Sequence, residues 1–117
     1  MIKLRRTVLL SRGNNMNMIK KAARLDVDAV VLDLEDGVPP QEKQKARENI
    51  CEAFKTLDFG RKERIVRVND LSSKYFLDDF TRVVATSPVD CIMIPKVSSA
   101  KDVEFADRLL NSLENEK

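Results

Sequence analysis

The sequence predicts an α/β fold in which four strands alternate with helices in the order βαβαβαβα. The clearest observation is the segment 29–34, which is almost continuously apolar. A strand that is apolar on both faces is typical of a parallel sheet covered by helices. The segments between the apolar runs repeat apolar residues at helical spacing, so right-handed crossovers are expected. Two architectures fit this order: a doubly wound open sheet and half of a (β/α)8 barrel.

Four short runs rich in apolar and β-branched residues are the predicted strands. They cover residues 7–10, 29–34, 65–69 and 91–94. Glycine, proline or polar residues follow each run and end it. The polar residues 61–63 are expected to form a loop before the third strand.

Each predicted helix carries one apolar stripe that faces the sheet. The first helix begins after Asn14 or Asn15, either of which can cap it, and ends near Leu25. The opposite face of the second helix, which includes Lys43, is expected to be solvated. The stripes of the other three helices are Ala46, Ile50, Ala53 and Leu57; Phe76, Phe80 and Val83; and Val103, Ala106, Leu110 and Leu113.

Chain length and net charge limit the number of domains and the kinds of partner that are expected. A chain of 117 residues suffices for one domain with a core, so a single α/β domain is expected over 1–117. The net charge of +2 gives no electrostatic case for binding nucleic acid or a membrane surface. No apolar run approaches the roughly 20 residues that span a bilayer, and the first is too short for a signal peptide. The expected location is the cytoplasm.

The chain contains no histidine, which excludes serine–histidine and cysteine–histidine nucleophilic pairs and histidine-ligated zinc from it. Cys51 and Cys91 lie in apolar periodic segments and are interpreted as buried, reduced thiols. Any chemistry in this chain is therefore expected from carboxylates, arginine, lysine and backbone groups.

Polar side chains collect where the predicted strands end, the edge at which ligands bind in both candidate architectures. Asp33 interrupts an apolar strand, and Glu35 and Asp36 follow it. A buried carboxylate is costly unless it is paired, and Arg67 on the adjacent strand is a suitable partner. Strand alternation places Asp33 and Glu35 on one face and Asp36 on the other. The cluster is a candidate site, and an ordinary charged loop is the alternative.

Three cations also lie at strand ends. Arg67 is unusual because arginine is uncommon at the buried end of a parallel strand. A fixed guanidinium at this position suits a carboxylate or an enolate oxygen. Lys96 follows the fourth strand. Two roles fit this position: an ion pair with a carboxylate at the strand ends, or a contact with a substrate anion. Arg12 and Gly13 precede a helix N-terminus, which can bind an anion. The absence of G-x-G-x-x-G argues against a nucleotide-binding open sheet.

Several motifs together resemble the citrate lyase β-subunit family, which is grouped with the HpcH/HpaI aldolases. The motifs are RRTVLL at 5–10 with Gly13, DAVVLDLEDGV at 28–38, KAR at 45–47, RVN at 67–69, and IPKV at 94–97 followed by SA at 99–100. They occur in the family's order over almost the whole chain. The resemblance implies that the chain is the N-terminal (βα)4 half of a TIM (β/α)8 barrel, with parallel strands in sequential order.

The family implied consists of magnesium-dependent carbon–carbon lyases. They cleave a hydroxyacyl-CoA, such as citryl-CoA or malyl-CoA, into an oxo acid and an acyl-CoA. The resemblance implies that Arg67 holds the oxo acid and stabilises enolate charge. Glu35 and Asp36 would lie beside the metal and the substrate as outer groups. Asn69 and Lys96 belong to matching motifs and are carried over as substrate-binding residues.

Arg12 falls in the loop where the family contacts the CoA end, although the family usually has proline immediately before Gly13. Family barrels need about 250 residues, and their two Mg²⁺-ligating carboxylates follow the fifth and sixth strands. We therefore expect a chain truncated before the metal ligands, with no direct Mg²⁺ ligand of its own and no lyase activity in isolation.

Two other functions stay open at this point. One is a non-catalytic half-barrel or fragment that assembles with itself or with another chain. The other is an unrelated open-sheet domain that binds a small molecule or phosphate. A half-barrel leaves its first and last strands as open edges and exposes interior residues such as Ile65. A homo-oligomer is therefore expected.

Overall fold

A computed structural model describes residues 6–95 of the chain, together with residues 104 and 108. Within these residues four parallel strands form one sheet in the order β1-β2-β3-β4. Sequential order is that of a barrel wall, whereas a doubly wound sheet reverses direction at a switch point. The predicted fold class is confirmed, and the domain limits 1–117 stay a prediction. The strands are β1 (Val8–Arg12), β2 (Ala29–Asp33), β3 (Glu63–Arg67) and β4 (Cys91–Met93).

The limits of β3 differ from the predicted 65–69. Glu63, which the sequence analysis assigned to a loop, is the first strand residue because it pairs with Ala29. Its N–H also donates to the carbonyl oxygen of Asp28 at 2.9 Å. The start of β3 is therefore set by its pairing with β2. The polar character of residues 61–63, which suggested a loop, does not prevent Glu63 from joining the strand.

Three helical segments pack on one face of the sheet. Asn15 caps the first of them, since its Oδ1 accepts from the Met18 N–H at 3.1 Å. The predicted fourth helix lies outside the described residues, apart from Glu104 and Arg108, both of which are helical. Among the described helices none is long and apolar enough to cross a membrane. The segments are α1 (Met16–Arg24), α2 (Lys43–Thr56) after a 3₁₀ turn (Pro40–Glu42), and α3, which begins at Phe76–Asp78 and continues through a π turn (Asp79–Val83) and a 3₁₀ turn (Val84–Thr86).

The strands separate a large core from a small one. The large core lies between sheet and helices and includes Ile19, Val30, Leu32, Ala46, Ile50, Val66 and Phe80. The small core, on the opposite face, consists of Ala29, Val31 and Ile65 with Cys91 packed against them. β2 is buried along its whole length, as its continuous apolar sequence predicts.

The face that carries the small core is only partly open. Ile65 is buried, so the predicted exposure of this residue was wrong. The exposed apolar residues on that face are Val8, Leu10 and Met93. Both cysteines are free, as predicted, but each is half-buried rather than buried.

Gly13 lies where the end of β1 meets β2 and α2. Its N–H donates to the Asp33 carbonyl oxygen at 2.8 Å. A Cβ at this position would lie 2.6 Å from that oxygen and 2.9 Å from Ile50 Cδ1. Any side chain would therefore push the end of β1 away from β2 and α2.

We expect Gly13→Ala to lower the free energy of unfolding by about 2 kcal/mol, because the added methyl group overpacks a site closed by backbone. Gly60→Ala is the control. Gly60 has a φ of +60° and nothing within 4 Å of an added Cβ. The substitution Gly60→Ala should therefore cost about 1 kcal/mol, from backbone strain alone. Urea unfolding followed by circular dichroism measures both. A smaller loss for Gly13→Ala than for Gly60→Ala would contradict this assignment.

Candidate functional site

A bidentate ion pair joins the ends of β2 and β3. Arg67 Nε donates to Asp33 Oδ1 and Nη2 donates to Oδ2, each at 2.8 Å. The two residues are register partners on adjacent strands. Asp33 is fully buried, whereas the Arg67 side chain is 22% exposed. The predicted pairing is therefore present, and it relieves the cost of a buried carboxylate.

The loop after β2 closes around the same carboxylate. The N–H of Glu35 donates to Asp33 Oδ1 at 2.9 Å, and the N–H of Gly37 donates to Oδ2 at 2.8 Å. A Cβ on Gly37 would lie 2.7 Å from Asp33 Oδ2 and 3.1 Å from Arg12 Cγ, so this position requires glycine. Because Asp33 accepts two bonds from Arg67 and two from the loop, it is a structural centre of the site.

These contacts fix the charge of both partners. Burial by itself would raise the pKa of Asp33, but the Arg67 guanidinium and the N–H groups of Glu35 and Gly37 hold it below its ordinary value of 3.8. The hydrogen bonds to Asp33 raise the pKa of Arg67, and the charges of Glu35 and Asp36 add to this effect. Both groups are therefore ionised at neutral pH.

Arg67 retains donors for a ligand. Of the five N–H bonds of a guanidinium, two are directed at Asp33. Glu35 Oε1 lies 3.9 Å from Arg67 Nε, and its side chain is buried. Asp36 is exposed on the same loop. The site thus presents an oriented cation beside two further carboxylates, an arrangement able to hold an anion by charge-assisted hydrogen bonds.

Lys43 is buried at the start of α2, contrary to the predicted solvated face. Its Nζ donates to the carbonyl oxygens of Leu34, Glu35 and Val38 at 2.9, 3.1 and 3.0 Å. Helical periodicity could not reveal this burial, because it results from the 34–38 loop lying over the helix. The loop that carries Glu35 and Asp36 is therefore fastened to α2.

A second buried network fixes the end of β3. Arg47 Nε donates to Asp79 Oδ1 at 2.9 Å. Asp79 Oδ2 accepts from the N–H and the Nδ2 of Asn69 at 2.8 and 2.6 Å. The nitrogen of the Asn69 side chain is thus directed into the interior. Asp79 was not among the residues predicted from the sequence, although a charged residue three positions after Phe76, on the apolar stripe of a helix, was an available signal.

Arg12 lines a polar cavity of about 480 Å³ between α1 and α2. Asn14 Nδ2 donates to Glu42 Oε2 at 3.0 Å across this cavity. Lys45 adds a second cation to its wall, so the cavity suits a polar, anionic group. The other lining residues are Asn15, Met16, Asn17 and Asn49.

The structure thus brings Arg67, Glu35 and Asp36 together at the ends of β2 and β3. Arg12 packs against the same loop at Gly37. Lys96 lies outside the described residues. Across residues 6–95, 104 and 108, no group of three or more histidine, cysteine or acidic side chains is arranged to hold a metal ion.

We expect Asp79→Asn to lower the free energy of unfolding by about 3 kcal/mol, because the buried Arg47 would lose its buried counter-charge, 2.9 Å away. Asp78→Asn is the matched control. Asp78 Oδ2 lies 4.0 Å from Arg47 Nη1 and its side chain is 50% exposed, so the loss should stay under about 1 kcal/mol. Urea unfolding measures the two variants. Equal losses would show that Asp79 does not hold this network.

The low pKa of Asp33 predicts a dependence of stability on pH. Its contribution is present above the unfolded-state pKa, near 3.8, and is lost as the pH falls through the still lower folded-state pKa. Wild-type stability should therefore fall more steeply than that of Asp33→Asn as the pH drops from about 5 to 3. Asp36→Asn is the exposed control from the same loop. Parallel curves for wild type and Asp33→Asn in urea titrations would contradict the prediction.

Comparison with known proteins places these residues in a family. The sequence profile of the HpcH/HpaI aldolase/citrate lyase family matches residues 6–117. The citrate lyase subunit beta of Leuconostoc mesenteroides subsp. cremoris is 36% identical over 114 residues, which are 97% of this chain and 37% of that protein. The (3S)-malyl-CoA thioesterase of Cereibacter sphaeroides is 43% identical over 105 residues, which are 90% of this chain and 36% of that protein.

A solved structure shares the fold. It is the citrate lyase beta subunit of Mycobacterium tuberculosis complexed with oxaloacetate and magnesium, with 31% identity and a TM-score of 0.71. The match covers 85% of this chain and 42% of that one. This chain spans 37% and 36% of the two curated relatives. Since the profile matches nearly all its residues, the chain belongs to the HpcH/HpaI aldolase/citrate lyase family.

Proposed function

We propose that the described residues form the oxo-acid-binding part of a carbon–carbon lyase acting on a hydroxyacyl-CoA such as citryl-CoA or malyl-CoA. The observation that carries this proposal is Arg67, a cation fixed by Asp33 at the strand ends with N–H bonds left for an anion. The names of the relatives, citrate lyase subunit beta and (3S)-malyl-CoA thioesterase, support the substrate class. So does the neighbour complexed with oxaloacetate.

Arg67 is the proposed catalytic residue. In the cleavage, the hydroxyl group loses its proton and becomes the oxo group while the adjacent carbon–carbon bond breaks. The electron pair of that bond remains on the acyl-CoA as an enolate, which is then protonated. A guanidinium held in place can pair with the carboxylate of the oxo acid and stabilise negative charge without reorganising. Glu35 and Asp36 lie beside the Arg67 guanidinium.

Magnesium belongs to this proposal because the M. tuberculosis neighbour is complexed with it. When bound, Mg²⁺ would offset the negative charge of the oxo acid. Glu35 and Asp36 are proposed as outer groups beside it. Asn69 and Lys96 stay predicted substrate-binding residues, and for Asn69 the side-chain nitrogen already donates to Asp79.

Arg12 is proposed to contact the CoA end of the substrate. It lines the polar cavity together with Lys45, and two cations suit the phosphate groups of coenzyme A. The cavity borders the 34–38 loop through the packing of Arg12 on Gly37. In this proposal the acyl end lies at Arg67 and the nucleotide end lies near α1 and α2.

A second proposal concerns assembly. On the face opposite the helices, Val8 is 52% exposed, Leu10 is 48% exposed and Met93 is 41% exposed. Burial of apolar surface returns roughly 25 cal/mol per Å². We propose that this face associates with a second copy or with another chain. The absence of lyase activity in the isolated chain and its cytoplasmic location stay predictions.

The binding proposal predicts that the chain binds oxaloacetate and that Arg67→Lys weakens this binding about tenfold or more. Lysine keeps the charge but loses the planar fork, and a charge-assisted hydrogen bond contributes about 1.5–3 kcal/mol. Arg64→Lys is the matched control on the same strand. Arg64 pairs with Asp90 instead, so its replacement should leave affinity within about twofold. Isothermal titration calorimetry measures the Kd.

Two results would overturn the binding proposal. One is a wild-type chain that fails to bind oxaloacetate at millimolar concentration. The other is a loss in Arg64→Lys equal to that in Arg67→Lys, since binding would then depend on general charge.

Assembly predicts that the chain elutes above its monomer mass of 13.3 kDa and that Leu10→Glu shifts it toward that mass. A charge in the centre of an apolar contact is costly to desolvate. Leu77→Glu is the control, because Leu77 is 60% exposed but lies on α3. Light scattering coupled to size exclusion at micromolar concentration gives the mass. A stable wild-type monomer would refute association.

A further inference from the structure

The Lys43 ammonium group directs all of its hydrogen-bond donors to one loop. An ammonium has three N–H donors, and Nζ donates to the carbonyl oxygens of Leu34, Glu35 and Val38 at 2.9, 3.1 and 3.0 Å. All three acceptors lie in the 34–38 loop. Lys43 therefore fixes the backbone of this loop and does not simply neutralise a nearby acid.

The same loop holds Asp33 from its other side. Its N–H groups at Glu35 and Gly37 donate to the two oxygens of Asp33. Asp33 in turn orients Arg67 through two bonds of 2.8 Å. A continuous series of hydrogen bonds thus runs from Lys43 through the loop and Asp33 to Arg67.

The surroundings of Lys43 partly offset the cost of burying its charge. Burial lowers the pKa of Lys43, and the nearby carboxylates of Asp79, Asp33 and Glu35 oppose this effect only in part. The Nζ atom also lies 5.1 Å from the centroid of the Tyr75 ring, a distance at which an aromatic face attracts a cation. Lys43 is therefore held mainly by its three hydrogen bonds to backbone carbonyl oxygens, with a smaller contribution from the acids and the ring.

We propose that Lys43 is a positioning residue of the oxo-acid site, holding the 34–38 loop so that Asp33 keeps Arg67 in its binding orientation. This inference rests on the proposed function of Arg67. Its structural half, that Lys43 sets the orientation of Arg67, is testable without any substrate.

Hydrogen exchange measured by NMR on the 117-residue chain tests that half. In Lys43→Met, exchange at the Glu35 and Gly37 amides and at the Arg67 Nε–H should accelerate about tenfold or more, since the loop loses its three bonds to the ammonium. The amide of Val66, in the centre of the sheet, should stay within about twofold of wild type.

Lys55→Met is the matched control, because Lys55 is exposed on the same helix and its replacement should leave all four signals unchanged. Lys43→Gln serves if the methionine variant fails to fold, since it retains two donors and removes the charge. Uniform acceleration that includes Val66 would identify Lys43 as a general stabiliser and overturn the proposal. Unchanged exchange at the Arg67 Nε–H in a folded variant would also overturn it.

Oxaloacetate titration of the same variants separates this inference from the proposed function. Positioning predicts that Lys43→Met weakens oxaloacetate binding about tenfold, the loss expected for a displaced bidentate donor. Lys43→Gln should show a smaller loss, and Lys55→Met none. An unchanged affinity in a Lys43 variant would overturn the positioning role. A wild-type chain without oxaloacetate affinity would instead overturn the proposed function, and the exchange rates would still decide whether Lys43 orients Arg67.

Discussion

The ion pair between Asp33 and Arg67 organises the whole strand-end region. A carboxylate at the end of a buried strand cannot be left unpaired, and removal of one partner of a buried pair costs about 3 kcal/mol or more. Asp33 meets this requirement with two bonds from Arg67 and two from the loop after β2. The ends of two strands and one loop therefore share a single centre.

Helix α2 provides the support beneath this centre. Lys43 and Arg47 lie one helical turn apart, and each is buried. The first fastens the loop after β2, and the second holds Asp79, which fixes Asn69 after β3. Side chains four positions apart lie on the same face of a helix, so one helix restrains both strand ends. The π turn that begins at Asp79 places its carboxylate in this network.

The site combines a rigid, buried network of charged groups with residues that a ligand can reach, and this combination suits the proposed reaction. The buried charged groups Asp33, Lys43, Arg47 and Asp79 all have hydrogen-bond partners, whereas Arg67 and Asp36 remain accessible to a ligand. A cation already oriented by Asp33 needs little reorganisation when negative charge develops next to it, which is how preorganised electrostatics lowers a barrier. The polar cavity lined by Arg12 and Lys45 borders the 34–38 loop where Arg12 packs on Gly37, and it is the proposed site for the nucleotide end of the substrate.

The sequence by itself determined the parallel sheet, the buried β2 and Arg67 as a suitable partner for Asp33, because continuous apolar strands are typical of parallel sheets and a buried charge needs a partner. Sequential strand order was implied only by the family resemblance, since the residues also fitted a doubly wound sheet. Burial of Lys43, the Arg47–Asp79–Asn69 network and burial of Ile65 were decided by tertiary structure. Each of these features depends on a loop, helix or strand from a distant part of the sequence that packs over the residue. Periodicity along one helix or strand carries no information about that neighbour, so only the folded arrangement could show which charged side chains turn inward.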